Sequence, residues 1–214
     1  MGQTPACHGR GKSRMTSRLF GPLAALLLAL GIVGLDALVP GYDPVRQTVS
    51  EIGEVGSPMR LPFAALLWAV AACVLAFAWA LRGFARRAGA SSLPAWITAC
   101  MAVSAAGVGA FAFPHPLHNV FGLSELIGYQ APLVTALAWR RAPGARELVR
   151  FSWIMAVVVW AAIALNLMPI FRPPAIWPHL HPVLGLVQRA LFAAWFGWCA
   201  GAGLFLPRRV DPEM

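Results

Sequence analysis

Six long apolar runs, separated by short polar segments, constrain what this chain can fold into more than any other feature of its sequence. They cover residues 19–40, 61–81, 93–113, 118–139, 151–168 and 182–206. Each holds about 18 residues or more, and a helix of that length crosses most or all of the roughly 30 Å of hydrocarbon in a bilayer. Because 59% of the 214 residues are hydrophobic and only 12% are charged, no soluble domain could bury the apolar side chains. The sequence therefore predicts an all-α, polytopic membrane protein with a bundle of six transmembrane helices.

The placement of the basic residues predicts the orientation of this bundle. A net charge of +9 would suit a nucleic-acid-binding protein, but the basic residues form short clusters between the apolar runs, so no nucleic-acid partner is expected. The N-terminal segment, the second and fourth loops and the C-terminal segment hold thirteen of the seventeen Lys and Arg residues, and the alternate loops hold three. By the positive-inside rule, both termini are cytoplasmic. Four tryptophans are expected to form an aromatic belt at the inner helix ends: Trp79, Trp96, Trp139 and Trp153.

The segments outside the runs complete the predicted organisation. Residues 1–18 are polar and basic and predict a disordered cytoplasmic tail, residues 19–207 form the transmembrane domain, and residues 208–214 form a second cytoplasmic tail. The first run contains Asp36 and lacks a clear signal-peptidase site, which favours a retained helix over a cleaved signal. We therefore expect a multi-pass protein of the plasma membrane, which in a bacterium is the inner membrane, with the lipid bilayer as its constant partner.

Ionisable residues inside apolar runs are expected to have partners, because an unpaired charge in hydrocarbon is costly. Glu125 lies seven residues after His118, and Arg189 lies eight after His181. Both side chains should therefore lie at a similar depth, on the order of 10–12 Å from the outer helix ends. Their similar depth and opposite charges predict an ion pair between Glu125 and Arg189. A buried pair that only fixes helix register is the simplest interpretation.

A polar pocket open to the outside is the alternative interpretation. Residues 41–60 form the longest polar segment between the runs, and Ser50 is expected to cap a short helix within it. The pocket candidates share a position in or near the predicted outer half of the bundle, and they are Asp36, Ser50, Glu51, Glu125, Asn166, Gln188 and Arg189.

Four histidines lie in two predicted outer turns and are candidate zinc ligands: His115, His118, His179 and His181. A carboxylate such as Glu125, Asp36 or Glu51 could complete a catalytic zinc site that leaves one position for water. The H-x-x-H and H-x-H spacings belong to no motif with a required secondary structure. No cofactor is therefore expected, and zinc is kept as an alternative.

Three segments carry a resemblance to a known family: PGYDPVRQTVSEIG after the first run, FPHPLH after the third, and HPVLGLVQRALFAAW at the start of the last. Together they resemble the integral membrane family called domain of unknown function 998 (DUF998). The short motifs that carry the resemblance are Ser50-Glu51, Phe113-Pro114 with His118, and Gly185 with Arg189. The resemblance covers nearly all of the chain after the N-terminal segment. It implies a six-helix membrane protein with these residues on a shared outer face, and it implies no activity, substrate or cofactor.

Three functional hypotheses follow from the sequence. The first is a non-enzymatic protein whose outer pocket recognises a lipid head group or small ligand. The second is a membrane-embedded, metal-dependent lipid hydrolase, with histidine ligands and Glu125 or Glu51 as the base. The third is a small transporter, which needs a polar path to the cytoplasmic side. There the sequence offers only the hydroxyls of Thr98, Ser104 and Thr135, which can bond their own backbone.

The predicted orientation can be tested with reporters fused after Met214. Because the C-terminus is expected in the cytoplasm, a green fluorescent protein fused there should fluoresce, and alkaline phosphatase fused there should be inactive. The opposite pair of signals in intact cells would overturn the predicted topology.

Overall fold

The computed structural model of the chain describes residues 17–207, and over this range it is all-helical, with no strand. The α-helices are α1 (Phe20–Asp36), α2 (Val49–Ile52), α3 (Arg60–Arg87), α4 (Leu93–Ala110), α5 (Pro116–Gly128), α6 (Ala131–Ala138), α7 (Arg146–Phe171), α8 (Trp177–Leu180) and α9 (Leu184–Phe205), and a 3-10 turn at His181–Val183 joins the last two. The predicted all-α class is confirmed. The predicted tails, residues 1–18 and 208–214, lie almost entirely outside the described residues.

Five segments within residues 17–207 are long and apolar enough to cross a membrane: Arg60–Arg87, Leu93–Ala110, Pro116–Ala138, Arg146–Phe171 and Trp177–Phe205. Helix α1 is also apolar but has only 17 residues. At 1.5 Å per residue it is about 26 Å long, slightly shorter than the roughly 30 Å hydrocarbon core. The membrane class is thus supported, while the count of six spans and the orientation remain predictions.

Two helices, α3 and α7, extend beyond their apolar runs and include polar residues. Helix α3 runs to Arg87 instead of ending at Leu81, and α7 begins at Arg146 instead of Phe151. Arg86 and Arg87 lie in the last turn of α3, where a positive charge interacts favourably with the helix dipole. An apolar run therefore marks the part of a helix suited to hydrocarbon and not the whole helix.

The fourth apolar run is interrupted, although the sequence analysis predicts one helix over residues 118–139. Helix α5 ends at Gly128, and α6 begins at Ala131 with Pro132 in its first turn. Proline cannot donate a backbone hydrogen bond, and its ring clashes with the carbonyl four residues earlier, so an uninterrupted helix cannot pass through this position without a kink. The Tyr129 amide instead closes the end of α5 by donating to the Glu125 carbonyl at 2.8 Å.

The helices pack as a bundle in which chain neighbours are mostly spatial neighbours. Helix α3 packs against α1 and α4, α4 packs against α5, and α9 packs against both α1 and α7. Aromatic side chains fill the interior, where Phe77 and Trp198 meet edge to face with ring centroids 6.1 Å apart. Because α9 closes against α1, the last helix lies beside the first.

Three of the four tryptophans predicted for the belt lie on the surface of the bundle, as a belt requires, and the fourth does not. Trp79, Trp96 and Trp153 are exposed on the bundle surface, and the guanidinium of Arg82 lies 5.1 Å and 5.3 Å from the ring centroids of Trp79 and Trp96. Trp139 is instead fully buried, and its indole N–H donates to the Ser91 carbonyl at 2.8 Å. The belt prediction is wrong for Trp139, because the fold buries its ring and its indole N–H finds a hydrogen-bond partner in the loop before α4.

One end of the bundle carries residues 37–59, 111–115 and 172–183, and we call it the loop end. Segment 41–60 is docked there by backbone hydrogen bonds. The Leu186 amide donates to the Val45 carbonyl at 3.3 Å, and the Val55 amide donates to the Phe113 carbonyl at 2.8 Å. The segment therefore touches both α9 and the chain that follows α4.

Gly185 allows this docking and provides a test of it. A Cβ at position 185 would collide with the carbonyl oxygens of Pro44 and Gln47. We expect Gly185→Ala to lower stability by about 1–3 kcal/mol, measured as a decrease of Tm in detergent. Gly122→Ala is the matched control, because nothing lies within 4 Å of a Cβ there, and helical Ala is preferred to Gly. An equal Tm for the two variants would contradict the close docking of the segment.

Candidate functional site

Arg189 of α9 makes five side-chain hydrogen bonds next to the loop end. Its Nη2 forms an ion pair with Oδ2 of Asp36 at 3.1 Å and also donates to the Tyr42 hydroxyl at 3.0 Å. The Arg189 side chain is 18% exposed and that of Asp36 is 13% exposed. A pair so shielded from water costs desolvation energy, which is offset only when further hydrogen bonds satisfy the charges. The remaining donors of Arg189 supply such bonds.

The other terminal nitrogen of Arg189 binds main-chain carbonyls. Nη1 donates to the carbonyl oxygens of Pro44 at 2.9 Å, Gln47 at 3.2 Å and Gly185 at 3.3 Å. Only arginine has the planar, multiply donating head group that can bind several acceptors in different directions. Arg189 therefore ties the end of α1 and the start of segment 41–60 to α9.

Tyr42 lies beneath the guanidinium, whose central carbon is 5.6 Å from the ring centroid. The Tyr42 hydroxyl donates to the Thr48 carbonyl at 2.8 Å. Burial raises the pKa of the Tyr42 phenol, and the neighbouring Arg189 acts in the opposite direction without cancelling this effect. The phenol therefore stays protonated at neutral pH and keeps its donor role.

The predicted ion pair between Glu125 and Arg189 is wrong. Glu125 accepts a hydrogen bond from the Tyr129 hydroxyl at 3.0 Å, while Arg189 pairs with Asp36. Helix α1 packs against α9, whereas α5, which carries Glu125, packs chiefly against α4. Equal depth in the bundle does not make two side chains neighbours, and the fold places Asp36 closer.

The remaining pocket candidates bind protein groups. Gln188 accepts from the Val49 amide at 2.6 Å, and Glu51 accepts from the Thr48 amide and hydroxyl, both at 2.8 Å. Asn166 on α7 donates to the Val187 carbonyl at 3.0 Å. The structure thus gathers Asp36, Gln188 and Arg189 beside segment 41–60, where Gln188 and Arg189 bind its backbone and Asp36 pairs with Arg189, while Glu125 and Asn166 bond elsewhere.

Three of the four candidate zinc ligands are exposed. The His115 ring stacks on Phe111 at 5.1 Å, the His181 ring lies 5.1 Å from that of Trp177, and His179 is also exposed. Among residues 17–207, no group of three or more His, Cys, Asp or Glu side chains could hold a metal ion. Zinc binding therefore stays a prediction without support from side-chain placement.

His118 differs from the other histidines because it is buried, with 6% of its surface exposed. Its Nδ1 lies 2.7 Å from the Phe111 carbonyl oxygen, and its Nε2 lies 3.1 Å from Oγ of Ser50. The prediction of Ser50 as a helix cap is wrong, because Thr48 occupies that position of α2. Ser50 and His118 are 68 residues apart in the chain, so no local motif could indicate their contact.

A cavity of about 90 Å³ opens beside His118 at the loop end. It lies between the start of α3 and the end of α4, and its lining includes Gly53, Arg60, Phe63, Trp68 and Val108. Arg60 and His118 give the cavity a polar wall, and Phe63, Trp68 and Val108 give it an apolar wall. Such a combination suits a molecule that is itself polar at one end and apolar at the other.

The hydroxyls considered for a transport path bind nearby groups. Thr98 donates to the Pro94 carbonyl at 2.8 Å, and Thr135 donates to the Ala131 carbonyl at 2.7 Å, as predicted for hydroxyls on a helix. Ser104 additionally lies 2.7 Å from the hydroxyl of Ser124 on α5. These bonds add nothing to the transporter hypothesis.

The role of Arg189 can be tested by Arg189→Lys, which keeps the charge and removes the planar fork. We expect stability to decrease by about 2 kcal/mol or more, because hydrogen bonds from a charged donor are lost. Trypsin cleavage after residue 46 should accelerate by up to about 30-fold if local opening follows that loss. Arg46→Lys is the control in the same segment, since the Arg46 side chain is 73% exposed. Equal cleavage rates in both variants would show that Arg189 does not hold the segment.

Comparison with known proteins agrees with the resemblance found in the three sequence segments. The family of proteins of unknown function DUF998 matches residues 22–204, which include most of α1, most of α9 and every helix between them. No curated protein and no solved structure matches the chain. The match covers the bundle, the cavity and the group of Asp36, Tyr42 and Arg189, which we call the Arg189 cluster. The chain therefore belongs to the DUF998 family.

Proposed function

We propose that this protein binds the head group of an anionic lipid in the cavity beside Arg60 and His118. The observation that carries the proposal is the composition of the cavity wall, which joins a guanidinium and an imidazole to aromatic and aliphatic side chains. The cavity lies at an end of membrane-length helices, where lipid head groups are found.

The position of Arg60 favours an anionic ligand. Arg60 is exposed and is the first residue of α3, whose first turn contains no acidic residue. The N-terminus of a helix carries a partial positive charge, which repels the Arg60 guanidinium. An anion nearby would be attracted by the guanidinium and by the helix N-terminus. A guanidinium also binds phosphate oxygens in a bidentate manner.

The apolar surface next to the cavity suits an acyl chain. Leu61, Trp68 and Leu75 are spaced seven residues apart, so they follow one face of α3. All three are exposed, at 78%, 53% and 53% respectively. A cavity of 90 Å³ holds only about six to nine water-sized groups, so the head group would enter the cavity while a chain lies along this face.

The Arg189 cluster supports the fold of the loop end and is not proposed as the ligand site. Arg189 donates to one carboxylate, one hydroxyl and three carbonyls. A ligand phosphate would have to replace these bonds and undock segment 41–60.

The proposal predicts preferential quenching of Trp68 by a brominated anionic lipid. The purified protein is reconstituted with dibrominated phosphatidylglycerol or dibrominated phosphatidylcholine, and the Trp68 contribution is obtained by subtracting the Trp68→Phe variant. We expect Arg60→Gln to weaken the preference for phosphatidylglycerol about fivefold, since one basic residue near the surface contributes about 1 kcal/mol.

Arg172→Gln is the control for this measurement, because Arg172 is an exposed arginine at the same loop end and does not line the cavity. It should leave the lipid preference unchanged. Equal quenching by the two lipids in the wild-type protein, or an equal effect of both substitutions, would refute head-group binding at Arg60.

A further inference from the structure

We propose that Ser50 and His118 form a nucleophile and general-base pair that hydrolyses a carboxylic ester of an amphiphilic molecule. The choice of an amphiphile rests on the proposed head-group site, whereas the pair itself rests only on its own geometry. The hydroxyl and the imidazole nitrogen are 3.1 Å apart, within the range that allows proton transfer from a nucleophile to its base.

The partner of the other ring nitrogen fixes the direction of this hydrogen bond. The Phe111 carbonyl, 2.7 Å from Nδ1 of His118, can only accept a hydrogen bond. Nδ1 of the neutral imidazole therefore carries the proton, and Nε2 presents its lone pair to the Ser50 hydroxyl. Phe111 directly follows the last residue of α4, so its carbonyl lies beyond the helical ladder and is free to take the orienting role that a carboxylate has in serine hydrolases.

Ser50 is held firmly in place. It lies in α2, whose Val49 amide donates to Gln188 at 2.6 Å and whose Ile52 carbonyl accepts from the Ser57 hydroxyl at 2.6 Å. His118 is buried and packs against the Phe113 ring, with centroids 5.7 Å apart. A nucleophile and base held on fixed elements retain reactive geometry without a search of rotamers.

The cavity reaches the pair on the side of His118, which lines it. A Ser–His hydrogen bond that only fixed the loop would need no space beside it, yet His118 lines the cavity. Gly53 follows Ser50 by one helical turn and lines the same cavity, together with Arg60. The positive charge of Arg60 is available for an anionic head group or for the negative charge that develops on an ester oxygen.

The proposed reaction consumes one ester and one water molecule. Oγ of Ser50 attacks the ester carbonyl carbon while Nε2 of His118 takes the hydroxyl proton, and collapse of the tetrahedral intermediate breaks the ester C–O bond. The leaving alcohol takes that proton, and Ser50 remains acylated. Water then attacks the acyl carbon and gives a proton to Nε2, the bond to Oγ breaks, and Ser50 regains its proton. The products are an alcohol and a carboxylic acid, with no change of oxidation state.

Dodecyl fluorophosphonate tests the pair directly, because the serine oxygen displaces fluoride from phosphorus and keeps the label. Ser50 lies in the tryptic peptide of residues 47–60, which also contains Thr48 and Ser57. Fragment masses of this peptide therefore compare three hydroxyls in one sample. We expect the label on Ser50 alone.

His118→Asn separates the chemical role of the imidazole from its structural role. Asn can still donate to the Phe111 carbonyl but offers no base to Ser50. We expect the labelling rate to fall by roughly 100-fold or more, the usual contribution of a general base, while Tm in detergent stays close to wild type. Release of 4-nitrophenol from 4-nitrophenyl dodecanoate should fall in parallel, and Ser50→Ala should abolish both label and release.

Three outcomes would overturn the proposal: label absent from Ser50 or spread equally over Thr48 and Ser57, labelling that is as fast in His118→Asn, or ester release that persists in Ser50→Ala. Failure here is distinguishable from failure of the head-group site. Preferential quenching by brominated phosphatidylglycerol with an unlabelled Ser50 would reject the hydrolase and retain the lipid site. If Ser50 is labelled, if this labelling depends on His118, and if the two brominated lipids quench Trp68 equally, the results would support the Ser50–His118 pair and reject binding of an anionic head group.

Discussion

The loop end depends on the contact between one guanidinium and the main chain of segment 41–60. Where a polar backbone segment leaves the helices of a membrane bundle, each carbonyl needs a donor. Arg189 supplies donors to Pro44 and Gln47 and binds the Asp36 carboxylate at the end of α1. The Asp36 carboxylate balances the positive charge of this arginine, and the planar guanidinium donates hydrogen bonds to the backbone carbonyls of the segment. Without this arginine, the Asp36 carboxylate and the carbonyls of Pro44 and Gln47 each lose a donor.

This contact also determines where the chemically interesting residues lie. Gln188, the neighbour of Arg189, binds the Val49 amide at the start of α2, and the next residue is Ser50. The hydroxyl of Ser50 meets His118, and His118 lines the cavity that Arg60 and Trp68 complete. Hydrogen bonds and neighbouring residues of the chain thus connect the ion pair to the cavity. The structural arginine and the proposed site are parts of the same arrangement.

Sequence reasoning located the membrane helices and the polar end of the bundle because hydropathy depends on composition alone. It failed where the outcome depends on which helices are neighbours. Their spacing along the chain predicts a similar depth for Glu125 and Arg189, but α1 packs against α9 and Arg189 pairs with Asp36. Pro132 marked the interruption between α5 and α6, and this local signal was available in the sequence. Trp139 gave no such signal, since only the fold brings its indole to the Ser91 carbonyl.

The pairing of Ser50 with His118 illustrates the same limit at the candidate site. Both residues stood among the candidates, one for a polar pocket and one for zinc, and neither assignment suggested the other. The contact arises because segment 41–60 folds back across the end of α4, a path set by backbone hydrogen bonds. Composition and spacing carry no information about such a path.

The contacts that dock segment 41–60 show which residues determine its backbone conformation. At Pro44 and Gln47, Arg189 binds the carbonyl oxygens, while the side chains of Pro44, Val45 and Arg46 are exposed. The conformation of this stretch is therefore held partly by Arg189 of α9 and partly by hydrogen bonds within the segment, such as those from the Val45 amide to Asp43 and from the Asp43 amide to Gln47. The exposed side chains of this stretch can therefore change while its backbone keeps the same path. The backbone contacts that position Ser50 are thus separate from the side chains that the protein presents to its surroundings at this end.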